Sequence, residues 1–346
     1  MSISTNTATT APASLRNALA TSLVNGLLSV EPLAKFARQR ARKMMMDRAE
    51  TIGVYWRDEV KALERRSEAQ SANGPVDSLV NSSVNPIWEE ELRAIANPNV
   101  QYPPYYTTKF HAYDEGNLGW LPAMEVDVAA RAVHAQIWTD ERSGINGDAS
   151  LRDSYHQVLS DYFDEASAAA PSHIADLGCG VGMSSTAIHK AFPNAQVTGV
   201  ELSPYFLTVG QYRLQQLSAT GAVEADAVQW QHAPAEETGL AADSADLVSA
   251  FLVFHELPTS AAKAILAEAY RLVRPGGHFA IMDMNPTSRI YQELPPYVFT
   301  LLKSTEPYLD QYFALDMSQA FQEAGFSAPR IVTNSLRHRT IIGQKI

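Results

Sequence analysis

The sequence predicts an α/β fold built on a mostly parallel sheet of seven strands with a reversed last pair, joined to a helical N-terminal part. Three observations predict it. From His173 onward, seven short apolar runs appear, and helical stretches separate the first five of them. Most of these runs are apolar without a break, as strands covered on both faces are. The last two runs are separated only by "LRH", too short for a crossover helix, so they must pair antiparallel.

Bulk properties agree. With 346 residues the chain exceeds the roughly 100–200 of a single domain, and a division into a helical part, 1–150, and a larger α/β part, 151–346, is expected. Hydrophobic residues make up 46% and charged ones 19%, enough for a packed core. The net charge of −11 repels a phosphate backbone, so no nucleic-acid partner is expected. The single cysteine, Cys179, excludes an internal disulfide and a cysteine-cluster metal site. We therefore expect a cytoplasmic protein with no metal. No apolar run approaches the roughly 20 residues that span a bilayer, so stable membrane insertion is not expected.

Taken in order, the first thirty residues carry one arginine and no acid, a composition shared by organellar transit segments and by frayed N-termini. From Ser14 to about Arg66, apolar residues such as Leu15, Leu19, Leu23, Leu27 and Leu28 recur at helical spacing. Within this stretch Lys35, Arg38, Arg40, Arg42, Lys43 and Arg48 give a basic helical face, suited to an acidic domain or an anionic surface. Residues 67–86, rich in Ser, Asn, Gly and Pro, read as a linker. Asn97–Trp120 then concentrates aromatic residues among turn formers. Such a segment is either a lid, with Tyr106 and Tyr113 touching substrate, or packing between the two parts. Helical periodicity returns from Leu121 to about Phe163.

The seven runs follow: "HIADL" (173–177), "AQVTGVE" (195–201), "AVQWQHA" (227–233), "ADLVSAFLVF" (245–254), "GHFAIMDM" (277–284), "RIVTNS" (330–335) and "RTIIGQK" (339–345). Between the first run and the helix after it lies "IADLGCGVGMSS", with glycine at 178, 180 and 182. A turn at the carboxyl end of the first strand is where open α/β sheets bind ligands, and bare backbone lets a ligand approach closely. A dinucleotide fingerprint needs its third glycine at 183, where this chain has Met183. Glu201, closing the second strand, is placed to accept hydrogen bonds from both hydroxyls of a ribose. Pro275-Gly276-Gly277 predicts a tight turn into the fifth strand.

These stretches, "DLGCGVG" (176–182), "VTGVELS" (197–203), "ADSADLV" (242–248), "FLVFHEL" (251–257) and "LVRPGG" (272–277), closely resemble the class I S-adenosylmethionine-dependent methyltransferases over about residues 150–346. The resemblance implies their Rossmann-like seven-stranded sheet and S-adenosylmethionine as cofactor. It places Asp176, Gly178, Cys179, Gly180 and Gly182 at the methionine end of the cofactor, with backbone groups of Gly178 and Gly180 against its amino and carboxylate groups. Glu201 takes the ribose, Leu202 and Ser203 border the adenine, and Tyr155, with His156, lies on a helix crossing the cofactor. Many relatives place an Asp after the third strand, whereas this chain reads "HAPAEE", so Ala235 or Glu236 must serve the adenine amino group.

On the acceptor side, His255 coincides with the catalytic histidine of plant-type small-molecule O-methyltransferases and is followed by Glu256. It is the candidate general base, with pocket lining as the alternative. Residues 285–313 form part of the acceptor pocket in relatives, which implies Arg289 and Lys303 on a substrate carboxylate and Tyr297 and Tyr308 as apolar walls. A helical cover with its charges in water is the other reading of that stretch. The expected function is methyl transfer to a small organic acceptor, oxygen favoured over sulfur or carbon, with the helical part closing the pocket or mediating a homodimer. A nicotinamide-dependent oxidoreductase and a non-catalytic cofactor-binding partner are the rivals.

Overall fold

The computed structural model describes residues 31–66, 86–108, 113, 115–303 and 305–346. The expected helix over Leu15–Leu28, Phe110 and linker residues 67–85 lie outside them, while Pro86, the expected end of the linker, already opens a helix. Helices α1 (Glu31–Thr51), α2 (Trp56–Glu64), α3 (Pro86–Ile95), α4 (Trp120–His134) and α5 (Gly147–Glu165) precede the sheet. The first four share one core: Trp56, Trp88, Met124 and Val128 pack with Val181, Phe206 and Val209 from beyond the first strand. Trp88 is fully buried, and its indole N–H donates to the Leu63 carbonyl at 3.1 Å. The Arg66 guanidinium lies 4.4 Å from the Trp88 ring and 3.9 Å from the Tyr212 ring, pinning this layer to the α/β part through cation–π contacts. Of the basic face, Arg42 turns inward to the buried carboxylate of Glu125, while Arg40 and Lys43 stay exposed.

The strands are β1 (His173–Leu177), β2 (Gln196–Glu201), β3 (Val228–His232), β4 (Ala245–Phe251), β5 (Val273–Met284), β6 (Arg330–Thr333) and β7 (His338–Gln344). Their order is β3-β2-β1-β4-β5-β7-β6, and β7 runs antiparallel to β5 and β6, as "LRH" requires. Between them lie α6 (Met183–Ala191), α7 (Pro204–Ala219) and α8 (Thr259–Leu272), then α9 (Arg289–Gln292), α10 (Pro296–Lys303), α11 (Leu309–Ala314) and α12 (Met317–Glu323). Both sheet faces are covered. Val248, Ala250, Phe279 and Ile281 point to one core with Ile265 and Phe321, and Leu247, Ala280 and Met282 to the other with Leu151 and Leu159. Leu151, Leu159 and Leu247 are fully buried, each contributing about 1.5–3 kcal/mol.

One local expectation differs. Pro275-Gly276-Gly277 does not precede β5 but bulges within it: the β4 partners jump from Ala245↔Val273 to Leu247↔His278. Gly276, at φ +83°, donates its N–H to the carbonyl of Lys345, the residue just after β7, at 2.8 Å, which ties the excursion to the sheet. No helix among the described residues is long and apolar enough to cross a membrane. Strand order reverses between β1 and β4, which opens a crevice at the carboxyl ends of these strands.

Candidate active site

The crevice floor is the turn between β1 and α6. The three glycines adopt left-handed φ of +68°, +56° and +76°. A Cβ on Gly182 would stand 2.3 Å from the Trp230 ring, and one on Gly178 2.7 Å from the Val253 side chain. Gly180 differs: a Cβ there would meet within 4 Å only the Phe206 ring, at 3.9 Å. Two glycines thus admit neighbours, and the middle one leaves open space against bare backbone. Beneath the turn, fully buried Asp176 accepts the hydroxyls of Ser184 at 2.6 Å and Ser185 at 2.7 Å, tying the first turn of α6 to the end of β1.

Glu201 closes β2 as a buried hub. Its Oε2 accepts the Gly180 N–H at 3.0 Å, and its Oε1 accepts the Ser203 N–H at 2.8 Å and the Tyr106 hydroxyl at 2.9 Å. Burial pushes this carboxyl up, against the pull of those donors. Beside it, Tyr105 donates to Glu236 Oε1 at 2.6 Å, while Glu236 Oε2 is buried with no hydrogen-bond partner. The Tyr105–Tyr106 segment is seated by its upstream chain. The Asn97 N–H donates to His232 Nδ1 at 2.8 Å, and His232 Nε2 donates to the Leu202 carbonyl at 3.0 Å. That pattern assigns a neutral ring, and burial lowers its pKa accordingly. Tyr102 stacks on Tyr106 at 6.3 Å, and Tyr308 meets Tyr105 edge-on at 6.3 Å.

The opposite wall begins where β4 ends. Leu252 takes φ +57°, and its N–H donates to the Met282 carbonyl at 2.8 Å. A 3₁₀ turn, Phe254–Glu256, follows and carries His255 and Glu256. Asp283, wholly buried near the end of β5, accepts from His255 Nδ1 at 2.8 Å and from the His255 N–H at 3.2 Å. Burial by itself would lower the His255 pKa. The Asp283 carboxylate, with Glu306 and Glu256 nearby, overrides it and raises the imidazole to about 10. Donor atoms of His255, Glu256 and Glu306 lie within 4.8 Å of one another.

Of the residues expected from sequence, the structure brings Gly180, Ser203 and Tyr106 onto Glu201, and Glu236 and Tyr308 onto Tyr105, with Leu202 and half-buried Ala235 adjoining them in the chain and Glu256, next to His255, near enough to act on the Tyr106 hydroxyl. Several others are placed elsewhere or turned inward. The N–H of Gly178 is taken by the Val200 carbonyl at 2.8 Å, and that of Gly180 by Glu201, so neither amide is free for a ligand. Cys179 is buried against Gly199, and burial pushes its thiol up, away from reactivity. Tyr155 is a core residue whose hydroxyl meets Ser249 Oγ at 3.0 Å and the Ala280 carbonyl at 3.3 Å. Tyr113 donates to Glu125 at 2.7 Å within the helical layer. The Arg289 side chain is 86% exposed and pairs with Glu293, and Lys303 pairs with Asp310, so both cations are satisfied by neighbours outside the crevice. Tyr297 is half-buried on α10.

Sequence reasoning did not single out Asp283, Glu306, His232 or Asn97. Asp283 had a signal: an acid ending an apolar strand that neighbours the one before His255. Glu306 had none, because only the fold brings the α10–α11 connection to the 3₁₀ turn.

A family model described as a methyltransferase domain matches residues 175–281, from β1 into β5. The chain is 33% identical over 129 residues to a trans-aconitate 2-methyltransferase of Paracidovorax citrulli, covering 36% of this chain and 45% of that one. To its counterpart in Yersinia pseudotuberculosis serotype O:1b it is 43% identical over 61 residues, 18% and 22% of the two chains. The chain thus spans less than half the length of these curated relatives. A solved S-adenosylmethionine-dependent methyltransferase from Aquifex aeolicus aligns with TM-score 0.43 and 16% identity, covering 60% of this chain and 94% of that one. The matching domain model is laid over the glycine turn, the β2 acid and strands β1 into β5, so this stretch of the chain is similar to methyltransferase domains, and its sheet order agrees with the class I S-adenosylmethionine-dependent fold expected from sequence.

Proposed function

We propose that the protein transfers the methyl group of S-adenosylmethionine to an oxygen of a small organic acceptor. The observation that carries this reading is Glu201: a buried carboxylate at the end of β2 that accepts a hydroxyl, from Tyr106 at 2.9 Å, where the ribose of a bound nucleoside has to be gripped. The residues present fit the cofactor in two further ways. Gly180 leaves open space against backbone. Glu236 Oε2, buried without a partner, is the acceptor an adenine amino group needs. When bound, the cofactor supplies an electrophilic methyl group on a positively charged sulfur.

This chain's own residues hold and orient. Glu201 and Glu236 bind the nucleoside, and the tyrosines of 102–106 with Tyr308 wall off water. His255, fixed by Asp283 through Nδ1, presents Nε2 to the acceptor side as the candidate base. The imidazolium takes the acceptor's proton only after its own Nε2 proton has left for solvent, a loss favoured when a positive charge nearby offsets the surrounding carboxylates, and the cofactor's sulfur is such a charge.

The relatives are named for trans-aconitate, a tricarboxylate. Asp283, Glu256 and Glu306 make this acceptor wall acidic, while Arg289 and Lys303 are paired outside it, so we assign a neutral acceptor such as a phenol or quinol instead. The single cysteine and the acidic balance support a cytosolic enzyme acting on small molecules rather than nucleic acid.

Calorimetry with S-adenosylhomocysteine tests the cofactor reading. One saturable site is expected, weakened at least tenfold in Glu201→Gln. No heat in the parent protein, or heat with NADH instead, overturns it. Transfer of labelled methyl to phenolic acceptors by parent and His255→Gln tests the acceptor side, with a loss on the order of 10²-fold expected for a base.

A further inference from the structure

We propose that His255, Glu256 and Glu306 bind one divalent cation, Zn²⁺ or Mn²⁺, at the wall of the acceptor crevice. The single-cysteine argument excludes only a cysteine-cluster site, and this set needs no cysteine. Its donor atoms stand within 4.8 Å of one another. Ligands bound at about 2.0–2.2 Å from a shared cation are no more than about 4.4 Å apart, so small side-chain rotations bring the set to bonding distance.

The scaffold holds the donors from both sides. His255 and Glu256 share the 3₁₀ turn, and Glu306 sits on the connection between α10 and α11, its N–H donating to the Leu302 carbonyl at 2.9 Å. This connection is anchored to the same wall. The Thr259 N–H donates to Gln311 Oε1 at 2.9 Å, and the Tyr312 hydroxyl donates to the Met284 carbonyl at 2.8 Å, one residue past Asp283.

The imidazole is oriented as a metal ligand is. A metal-bound histidine gives its other ring N–H to a carboxylate, which fixes the tautomer and strengthens the donor nitrogen. Asp283 does this at 2.8 Å on Nδ1 and also accepts the His255 backbone N–H at 3.2 Å, which leaves Nε2 for the cation. Once the cation displaces the Nε2 proton of His255, one neutral nitrogen and two carboxylates match a dication in charge. The mixed set suits Zn²⁺ or Mn²⁺ rather than Ca²⁺, which takes roughly six to eight oxygens. Three protein ligands leave open positions, as catalytic sites do.

The role of the cation rests on the function proposed above, whereas its binding does not. An acceptor oxygen in an open position would become more acidic through the cation, so its proton would pass to solvent water rather than to His255, whose Nε2 the cation occupies.

The full chain, freed of metal with EDTA and dialysed, is titrated with ZnCl₂ and separately with MnCl₂ by calorimetry. One saturable site per chain is expected with at least one of the two. Glu306→Gln and Glu256→Gln should each weaken it at least tenfold, and Asp283→Asn about 10–100-fold. Glu293→Gln, in the surface pair with Arg289, should leave it unchanged. No saturable heat with either metal, or parent affinity in both glutamate variants, overturns the proposal. If Glu306→Gln does not fold, Glu256→Gln decides alone. Titrating the same proteins with S-adenosylhomocysteine separates the two readings. Cofactor binding without metal binding fells only the cation site, and metal binding without cofactor binding fells only the proposed reaction.

Discussion

Removing one hydroxyl, in Tyr106→Phe, should make the protein bind S-adenosylhomocysteine more tightly. This hydroxyl donates to Glu201 Oε1 at 2.9 Å, on the carboxylate proposed to grip the ribose. A hydrogen bond to a charged group contributes about 1.5–3 kcal/mol. Part of that returns when the Ser203 and Gly180 amides keep their hold on the carboxylate, at 2.8 and 3.0 Å, after the phenol leaves. A net competition of about 1–2 kcal/mol remains, equal to a gain of about 5–30-fold in affinity. Calorimetry on parent and Tyr106→Phe at one salt concentration measures it, with matched thermal melts to show that the fold is intact. Equal or weaker binding by an intact variant refutes the reasoning, because the hydroxyl would then belong to the bound complex rather than oppose it.

Other outcomes follow from the same geometry. Gly182→Ala puts a Cβ 2.3 Å from the Trp230 ring at φ +76°, so overpacking and backbone strain together should cost about 2–4 kcal/mol. A thermal scan should show a drop on the order of 5–10 °C, and an unchanged midpoint contradicts the assigned packing. Burial lowers the pKa of His156 to about 4 and that of His338 to about 3. Both are neutral in the fold, while the unfolded chain binds protons below about pH 6.5, so their contribution is present above that pH and lost as pH falls toward 4 and below. Melting temperature should decline over this window, and His156→Gln should flatten the decline. A flat parent profile counts against it.

The sheet was readable because its determinants are local. Unbroken apolar runs mark strands covered on both faces, and a three-residue connection leaves β6 and β7 no choice but to reverse. The glycines and Glu201 were legible for the same reason, since a turn and the strand end beside it are fixed by a few neighbouring residues. For Arg289 and Lys303 the sequence left two readings open, and the ion pairs Arg289–Glu293 and Lys303–Asp310 accord with the one in which their charges lie outside the crevice, since spacing alone does not say which partner wins. The Tyr113 hydroxyl went to Glu125, and the Asp283–His255 pair formed, through contacts between strands and helices that no local pattern records. The aromatic segment fits both roles the sequence left open for it. It packs between the two parts of the chain, and its Tyr105 and Tyr106 reach Glu236 and Glu201 at the carboxyl ends of the strands.

Leu252 has a wider consequence. A leucine at φ +57° sits about 1–3 kcal/mol above its relaxed backbone, and the bond to Met282 keeps it there. Laboratory evolution for thermal robustness alone would therefore find an easy gain at this bend. It would also release the turn that aims His255, so hardiness and turnover should pull against each other at this one peptide unit.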